Sequence, residues 1–231
     1  MIIEMLQGQA ILWSLLGGIL PAIVWLLFWL REDGKNPEPK TLIVLAFLSG
    51  MLAVPLVLPF EMWVYNFFRY SALLTFILWA FFEETFKYIA CRISVLGRRD
   101  MDEPIDAMIY LITAALGFSA LENTFFLIQP FLENDILGGI ITGNLRFVGA
   151  SLLHIVASAS VGVFIALSFN RKTRRWPISA TLKGLAVAII LHTLFNLFIM
   201  KNSSVAVFTV FLFVWGAIVV LLSLFEKVKR I

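Results

Sequence analysis

The sequence predicts an all-α fold, a polytopic membrane bundle of about seven transmembrane helices. Two observations carry this. Of 231 residues, 61% are hydrophobic and only 14% charged, too few polar groups to coat a soluble domain whose apolar share would be nearer one half. The apolar residues also fall into seven runs, each near the roughly 20 residues that one helical crossing needs.

The runs are Ala10 to Leu30, Thr41 to Phe60, Ser71 to Leu96, Pro104 to Pro130, Leu145 to Asn170, Ile178 to Met200 and Ser204 to Phe225. Connections between them are short, so residues 1–231 read as one integral-membrane domain with a catalytic core at about 71–200. The first run lacks preceding Lys or Arg and a small-residue cleavage pattern, and reads as a retained span. Pro21, Pro55 and Pro59 lie inside runs and read as kinks or packing points. Trp and Tyr residues read as interface anchors. Cys91, the single cysteine, can form no intrachain disulfide. The net charge of +3 does not point to nucleic acid, because the basic residues sit at membrane borders.

Those residues alternate by loop. Loop one has Arg31, Lys35 and Lys40; loop three has Arg92, Arg98 and Arg99. Loop five has Arg171, Lys172, Arg174, Arg175 and Lys183, and the tail has Lys227, Lys229 and Arg230. Only Arg69 and Lys201 face the other side, with Lys87 and Arg146 in or near the membrane. The positive-inside rule then puts the N-terminus outside and the C-terminus in the cytoplasm of a multi-pass cell-membrane protein.

Within the third run stands Phe81-Phe82-Glu83-Glu84-Thr85-Phe86-Lys87. Each charged group at mid-membrane costs roughly 2.5–3.5 kcal/mol on insertion scales, so three together mark a place where function outweighs stability. Either Glu83 or Glu84 is spaced to meet Lys87 on one helix face, and a buried ion pair is the simplest role for Lys87. One ammonium neutralises one carboxylate. The other is left for binding or general-base work.

The orientation assigns depths to the remaining polar residues. Asp102, Glu103, Pro104 and Asp106 suit a helix N-terminus. Glu122, with Phe118 on its face and Asn123 beside it, falls in the outer half of run four. Run five enters after Gly138, Gly139 and Gly143, with Arg146 near the outer border, where it is expected to snorkel, a role as counter-ion for Glu122 being the alternative. His154 then lies deeper, in a polar stripe with Ser151 and Ser158. His192 and Asn196 share a face in the outer half of run six. Glu83, Glu84, Glu122, His154, His192 and Asn196 are therefore the expected catalytic set around one cavity, with Lys87, Phe118, Asn123 and Ser158 in support.

Two carboxylates, imidazoles and an amide around a wet membrane cavity suit peptide-bond hydrolysis by glutamate-activated water, with His or Asn donors at the oxyanion. No cofactor is required for that chemistry. Zinc held by His154, His192 and Glu122 is a variant consistent with the donor types, although no His-Glu-x-x-His supports it. A proton- or ion-coupled transporter, or an inactive scaffold of the same fold, are the alternatives. No duplicated halves favour a transporter.

Taken in order, Glu83-Glu84-x-x-Lys87, Gly117-Phe118-x-x-x-Glu122-Asn123, His154-x-x-x-Ser158 and His192-x-x-x-Asn196 resemble the PrsW family of intramembrane proteases, related to the type II CAAX prenyl endopeptidases. Pro37-Glu38-Pro39, Glu103-Pro104-x-Asp106 and Tyr110 match the same pattern, and the resemblance covers roughly residues 35 to 200. It implies cleavage of a single-pass membrane protein, for example an anti-sigma factor in a bacterial envelope-stress cascade. It also implies water activation by Glu83 and Glu84, a second catalytic group at Glu122, and oxyanion or positioning roles for His154, His192 and Asn196.

Overall fold

The computed structural model describes the backbone of residues 2–32, 36–199 and 204–231, and the side chains of 7–32, 36–199 and 208–231. Lys35, Met200 and Lys201, placed above in loops or at a segment end, lie outside the described residues. Among the described residues eight α-helices follow one another: α1 (Ile2–Glu32), α2 (Lys40–Phe68), α3 (Ala72–Cys91), α4 (Asp106–Leu132), α5 (Ile136–Leu145), α6 (Ser151–Leu167), α7 (Ile178–Ile199) and α8 (Ser204–Val228). A π-helical turn, Arg92–Leu96, extends α3, and another, Arg146–Ala150, joins α5 to α6. No β-strand is formed among the described residues.

The protein is a membrane helix bundle, and six of its helical stretches are long and apolar enough to cross a bilayer. The third predicted run is not one of these six, since Glu83, Glu84 and Lys87 dilute the apolarity of α3. The outward faces of the bundle carry large exposed apolar residues, among them Leu52, Met62, Phe67, Leu137, Ile178 and Val219. In water such a surface would aggregate; in lipid it is the expected solvent-facing side.

At the centre stands α4, packed against α1, α2 and α6. Its residues from Asp106 to Ala120 are all buried. Lipid tails are as apolar as the side chains, so close backbone approach replaces hydrophobic exclusion as the cement here. Ala107, Ala114, Ala115, Gly117, Ser119 and Ala120 make that approach sterically feasible. Two glycines set the α2–α4 crossing: a Cβ at Gly117 would strike the Phe47 carbonyl, and one at Gly50 the Ala114 carbonyl. Both obstacles are backbone atoms, so relief requires the helices to separate. Gly50→Ala and Gly117→Ala are each expected to destabilise the detergent-solubilised protein by about 1–3 kcal/mol. Denaturant titration followed by circular dichroism measures this, and unchanged unfolding midpoints would show that the crossing is looser than drawn.

Several predicted boundaries shift. Helix α2 continues past Phe60 to Phe68, bringing Glu61 inside the helix. Gly138, Gly139 and Gly143, read as a loop before run five, are helical, and Ile136–Leu167 forms a continuous stretch of 32 residues. Asp135 starts it by accepting the Gly138 amide at 2.9 Å, and the Phe131 ring occupies the space beside Gly139. Helix α4 starts at Asp106, two residues after the Pro104 expected in its first turn, and Asp106 Oδ2 accepts the backbone N–H groups of Asp102 and Glu103 at 2.9 and 2.7 Å. Trp29 and Tyr110 are interior residues and not border anchors; Tyr110 donates to Glu38.

Candidate active site

Four helices bring the predicted residues together. The same-face spacing within each explains the local placement: Glu84 and Lys87 are one turn apart on α3, Phe118 and Glu122 on α4, His154 and Ser158 on α6, His192 and Asn196 on α7. In a membrane, polar groups turn toward the protein interior, so these faces converge.

The network begins at Lys87, almost wholly buried. Its Nζ donates to Glu84 Oε1 at 2.6 Å and to His154 Nδ1 at 2.9 Å, and lies 4.8 Å from the centroid of the Phe118 ring. An ammonium can only donate, so His154 Nδ1 is the acceptor and Nε2 carries the ring hydrogen. That hydrogen is donated to Glu122 Oε2 at 3.0 Å. Glu84 Oε1 also meets His192 Nδ1 at 2.7 Å. A carboxylate that already receives Lys87 accepts again, so Nδ1 of His192 is the donor, and in the neutral imidazole Nε2 keeps its lone pair. His192 Nε2 lies 3.8 Å from Glu83 Oε2. Ser158 Oγ stands 3.5 Å from Glu84 Oε2, the outer limit of a hydrogen bond.

Thus the adjacent glutamates have different environments. Glu84 is saturated by Lys87 and His192, whereas Glu83 Oε2 is the one buried carboxylate oxygen without a hydrogen-bond partner among the described residues. Helical geometry explains the split: consecutive residues project about 100° apart, sending Glu84 toward α6 and α7 and Glu83 into open space.

That space is a cavity of about 500 Å³. Glu83, Glu122, His154, His192 and Asn196 line it, together with apolar residues including Val57, Phe76, Phe118, Phe126, Phe195 and Phe211. Glu84, Lys87 and Ser158 form a layer behind the wall. The volume and the mostly apolar lining with a few convergent polar groups are those of a ligand site.

Arg146 takes the second of its two expected roles, pairing with Glu122 and not snorkelling. Its Nη2 pairs with Glu122 Oε2 and its Nε donates to Asn123 Oδ1, both at 2.5 Å, and its guanidinium lies 3.8 Å from the Phe126 centroid. The continuous α5–α6 stretch carries Arg146 inside the bundle, where a charge needs a partner. Asn123 completes this corner by donating to Ser119 and Ser151 Oγ, each at 3.1 Å.

The donor set that clusters also differs from the zinc set expected above. One donor atom from each of Glu83, His154 and His192 lies within 4.8 Å of the others. Glu83 replaces Glu122, which Arg146 and His154 already engage.

Glu61 was missed by the sequence reading. It lines the cavity and its carboxyl interacts with that of Glu83. The signal was present: Met62 to Phe68 continue the apolar run beyond Glu61, so this acid sits within a span and not at its end.

Comparison with known proteins agrees with this architecture. A family model described as "PrsW family intramembrane metalloprotease" matches residues 38–224. Among curated proteins, "Protease PrsW" of Bacillus subtilis is 27% identical over 181 residues, covering 78% of this chain and 77% of the relative. "Protease PrsW" of Halalkalibacterium halodurans is 25% identical over 190 residues, covering 79% and 81%. That of Geobacillus kaustophilus is 25% identical over 167 residues, covering 71% of each. No solved structure matches significantly. With the family model spanning most of its length, a polytopic helical bundle around it and buried acid and imidazole groups at its centre, the chain belongs to the PrsW family of intramembrane proteases.

Proposed function

We propose that the protein hydrolyses a peptide bond of a single-pass membrane protein, such as an anti-sigma factor, with water activated by Glu83. The observation that carries the reading is the unpartnered Glu83 Oε2, buried in the wall of an apolar cavity. A carboxylate oxygen without a hydrogen bond is a ready acceptor for a proton of water. The hydroxide formed attacks the scissile carbonyl; the carbonyl oxygen becomes an oxyanion, and the amide of Asn196 is the neutral donor available from the cavity wall. Glu83 then returns the proton to the leaving nitrogen as the carbon–nitrogen bond breaks. Glu84 does not take the proton. Held by Lys87, it fixes His192 in the tautomer that turns Nε2 toward Glu83.

The same residues fit a divalent cation of the zinc type. Glu83 Oε2 and His192 Nε2 lie 3.8 Å apart and would be the carboxylate and imidazole holding such an ion. His154 has both ring nitrogens engaged, so its ligation replaces the hydrogen bond to Lys87 or to Glu122. When bound, such an ion polarises a carbonyl and makes water more acidic. Glu84 acts on His192 as the outer carboxylate that orients a ligating imidazole.

The lipid bilayer is the second partner, and the alternation of basic loops supports a site in the outer half with the N-terminus outside. The apolar wall suits an apolar substrate stretch, and the layered polar groups leave the cavity with few mobile charges of the kind a transport route needs.

Reconstitution tests this reading. Purified protein in liposomes with single-pass substrates is expected to yield fragments whose new ends map to the outer half of the substrate span, as read by mass spectrometry. Absence of cleavage across a broad substrate panel would defeat it. Stripping the protein with a chelator is expected to abolish cleavage and zinc to restore it; cleavage that survives chelation leaves the proton chemistry to Glu83 alone.

A further inference from the structure

Glu61 is an acid of the cavity wall that the hydrolytic scheme does not use. Its backbone is pinned to α3, because Trp79 Nε1 donates to the Glu61 carbonyl at 3.0 Å. The preceding residue, Phe60, stacks on Phe82 with centroids 4.9 Å apart and packs on Phe86 at 5.2 Å. These contacts hold α2 against α3 at the level of Glu83, where the two carboxyls interact.

Two carboxyls in contact in an apolar wall repel one another strongly unless a proton or a cation lies between them. The nearest cations are committed to other partners: Lys87 pairs with Glu84, and Arg146 with Glu122. Counted over the whole cluster, Glu61, Glu83, Glu84 and Glu122 face Lys87 and Arg146. With the imidazoles uncharged, as ligation requires, the carboxylates exceed the cations by two. A monovalent ion would leave the cluster negative; a divalent ion brings it to neutrality.

A second observation bears on where the ion would sit. Glu83 is only 5% exposed, its Oε2 has no hydrogen-bond partner, and this oxygen lies 3.8 Å from His192 Nε2. With the imidazole neutral, two acceptors stand close together in a buried space and call for a positive charge between them.

We propose that Glu61 is the second carboxylate of a divalent-cation site at Glu83 and His192, acting on the ion through Glu83. The inference rests on the metal-centre reading given above and adds to it the residue that sets its charge. In a low-dielectric wall an added carboxylate strengthens ion binding, since affinity follows ligand charge count. Without the ion the two carboxyls have only a proton to share. Glu61→Gln therefore affects the two forms differently: it costs the metal-free protein little, because an amide can donate to Glu83, and weakens the metal-bound one.

The experiment uses the full chain, purified in detergent and stripped of metal. Zinc and cobalt are titrated by calorimetry, the cobalt absorption bands are recorded, and thermal unfolding is followed with and without the ion. The wild type is expected to take up one ion per chain. Glu61→Gln is expected to bind about 10–100-fold more weakly, as for other outer carboxylates of metal sites. Its metal-free Tm stays close to that of the wild type, while the rise in Tm on adding metal shrinks. Glu61→Asp, which keeps the charge, recovers most of the affinity. A purely structural role would lower the metal-free Tm and leave affinity alone. Wild-type affinity and an undiminished metal-induced rise in Glu61→Gln would overturn the proposal. A wild type that binds no divalent ion would defeat the metal-centre reading itself, a result distinct from unchanged affinity in the variant.

Discussion

Glu83→Gln is expected to abolish cleavage in reconstituted membranes while the protein still folds and still captures its substrate. The substitution is isosteric and removes the carboxylate that serves as proton acceptor and that an ion would need. Loss of a general base costs about 10²–10⁴-fold in rate, so residual activity should sit near the detection limit. Capture survives because the apolar wall, with Phe76, Phe118, Phe195 and Phe211, is untouched. Crosslinking of a substrate segment to the cavity separates binding from turnover. A fragment yield equal to wild type would move the base elsewhere, and the next acid in the wall is Glu122. Its commitment to Arg146 and His154 makes it a poor acceptor.

Lys87→Met is expected to be the most destabilising single change among the site residues. It removes the ammonium that neutralises Glu84 and donates to His154, leaving a buried carboxylate with only an imidazole beside it. Breaking a buried pair from one side costs about 3–5 kcal/mol, because the remaining charge is uncompensated. The stack over Phe118 is lost as well. The companion double variant, Lys87→Met with Glu84→Gln, removes both charges, and the Gln carbonyl still accepts from His192. It should recover most of the lost stability and little of the activity. Unfolding in detergent, measured for both variants, decides the matter. A double variant no more stable than Lys87→Met would show that Lys87 acts through packing and not charge.

Much of this site was legible in the sequence for a simple physical reason. A carboxylate or imidazole inside a span must face other protein, so Glu83, Glu84, Glu122, His154 and His192 had few places to go but a common interior. The pairing of Lys87 with a neighbouring glutamate followed from helical spacing. Which glutamate it took did not. That choice depends on how far α3 is rotated against α6 and α7, and rotation is set by packing across three helices. Arg146 was misjudged because its depth was read from glycines taken as a loop; once Asp135 caps a helix there, Arg146 belongs to the interior. Glu61 escaped because the end of a span was drawn at the first charge, although seven further residues of α2 carry the helix on.

The polar triad of α3 bears on how the molecule is assembled. Alone in the lipid, a helix with Glu83, Glu84 and Lys87 loses roughly 7–10 kcal/mol relative to an uncharged one. It is a poor candidate for independent release from the insertion machinery. Its counter-groups, His154 and His192, are synthesised 67 and 105 residues or more after the triad's ends, on α6 and α7. During biogenesis α3 is therefore expected to stay against α2, with the Trp79 to Glu61 link between them, until the later helices arrive. The cavity with its acids and imidazoles is complete only when the second half of the bundle has docked.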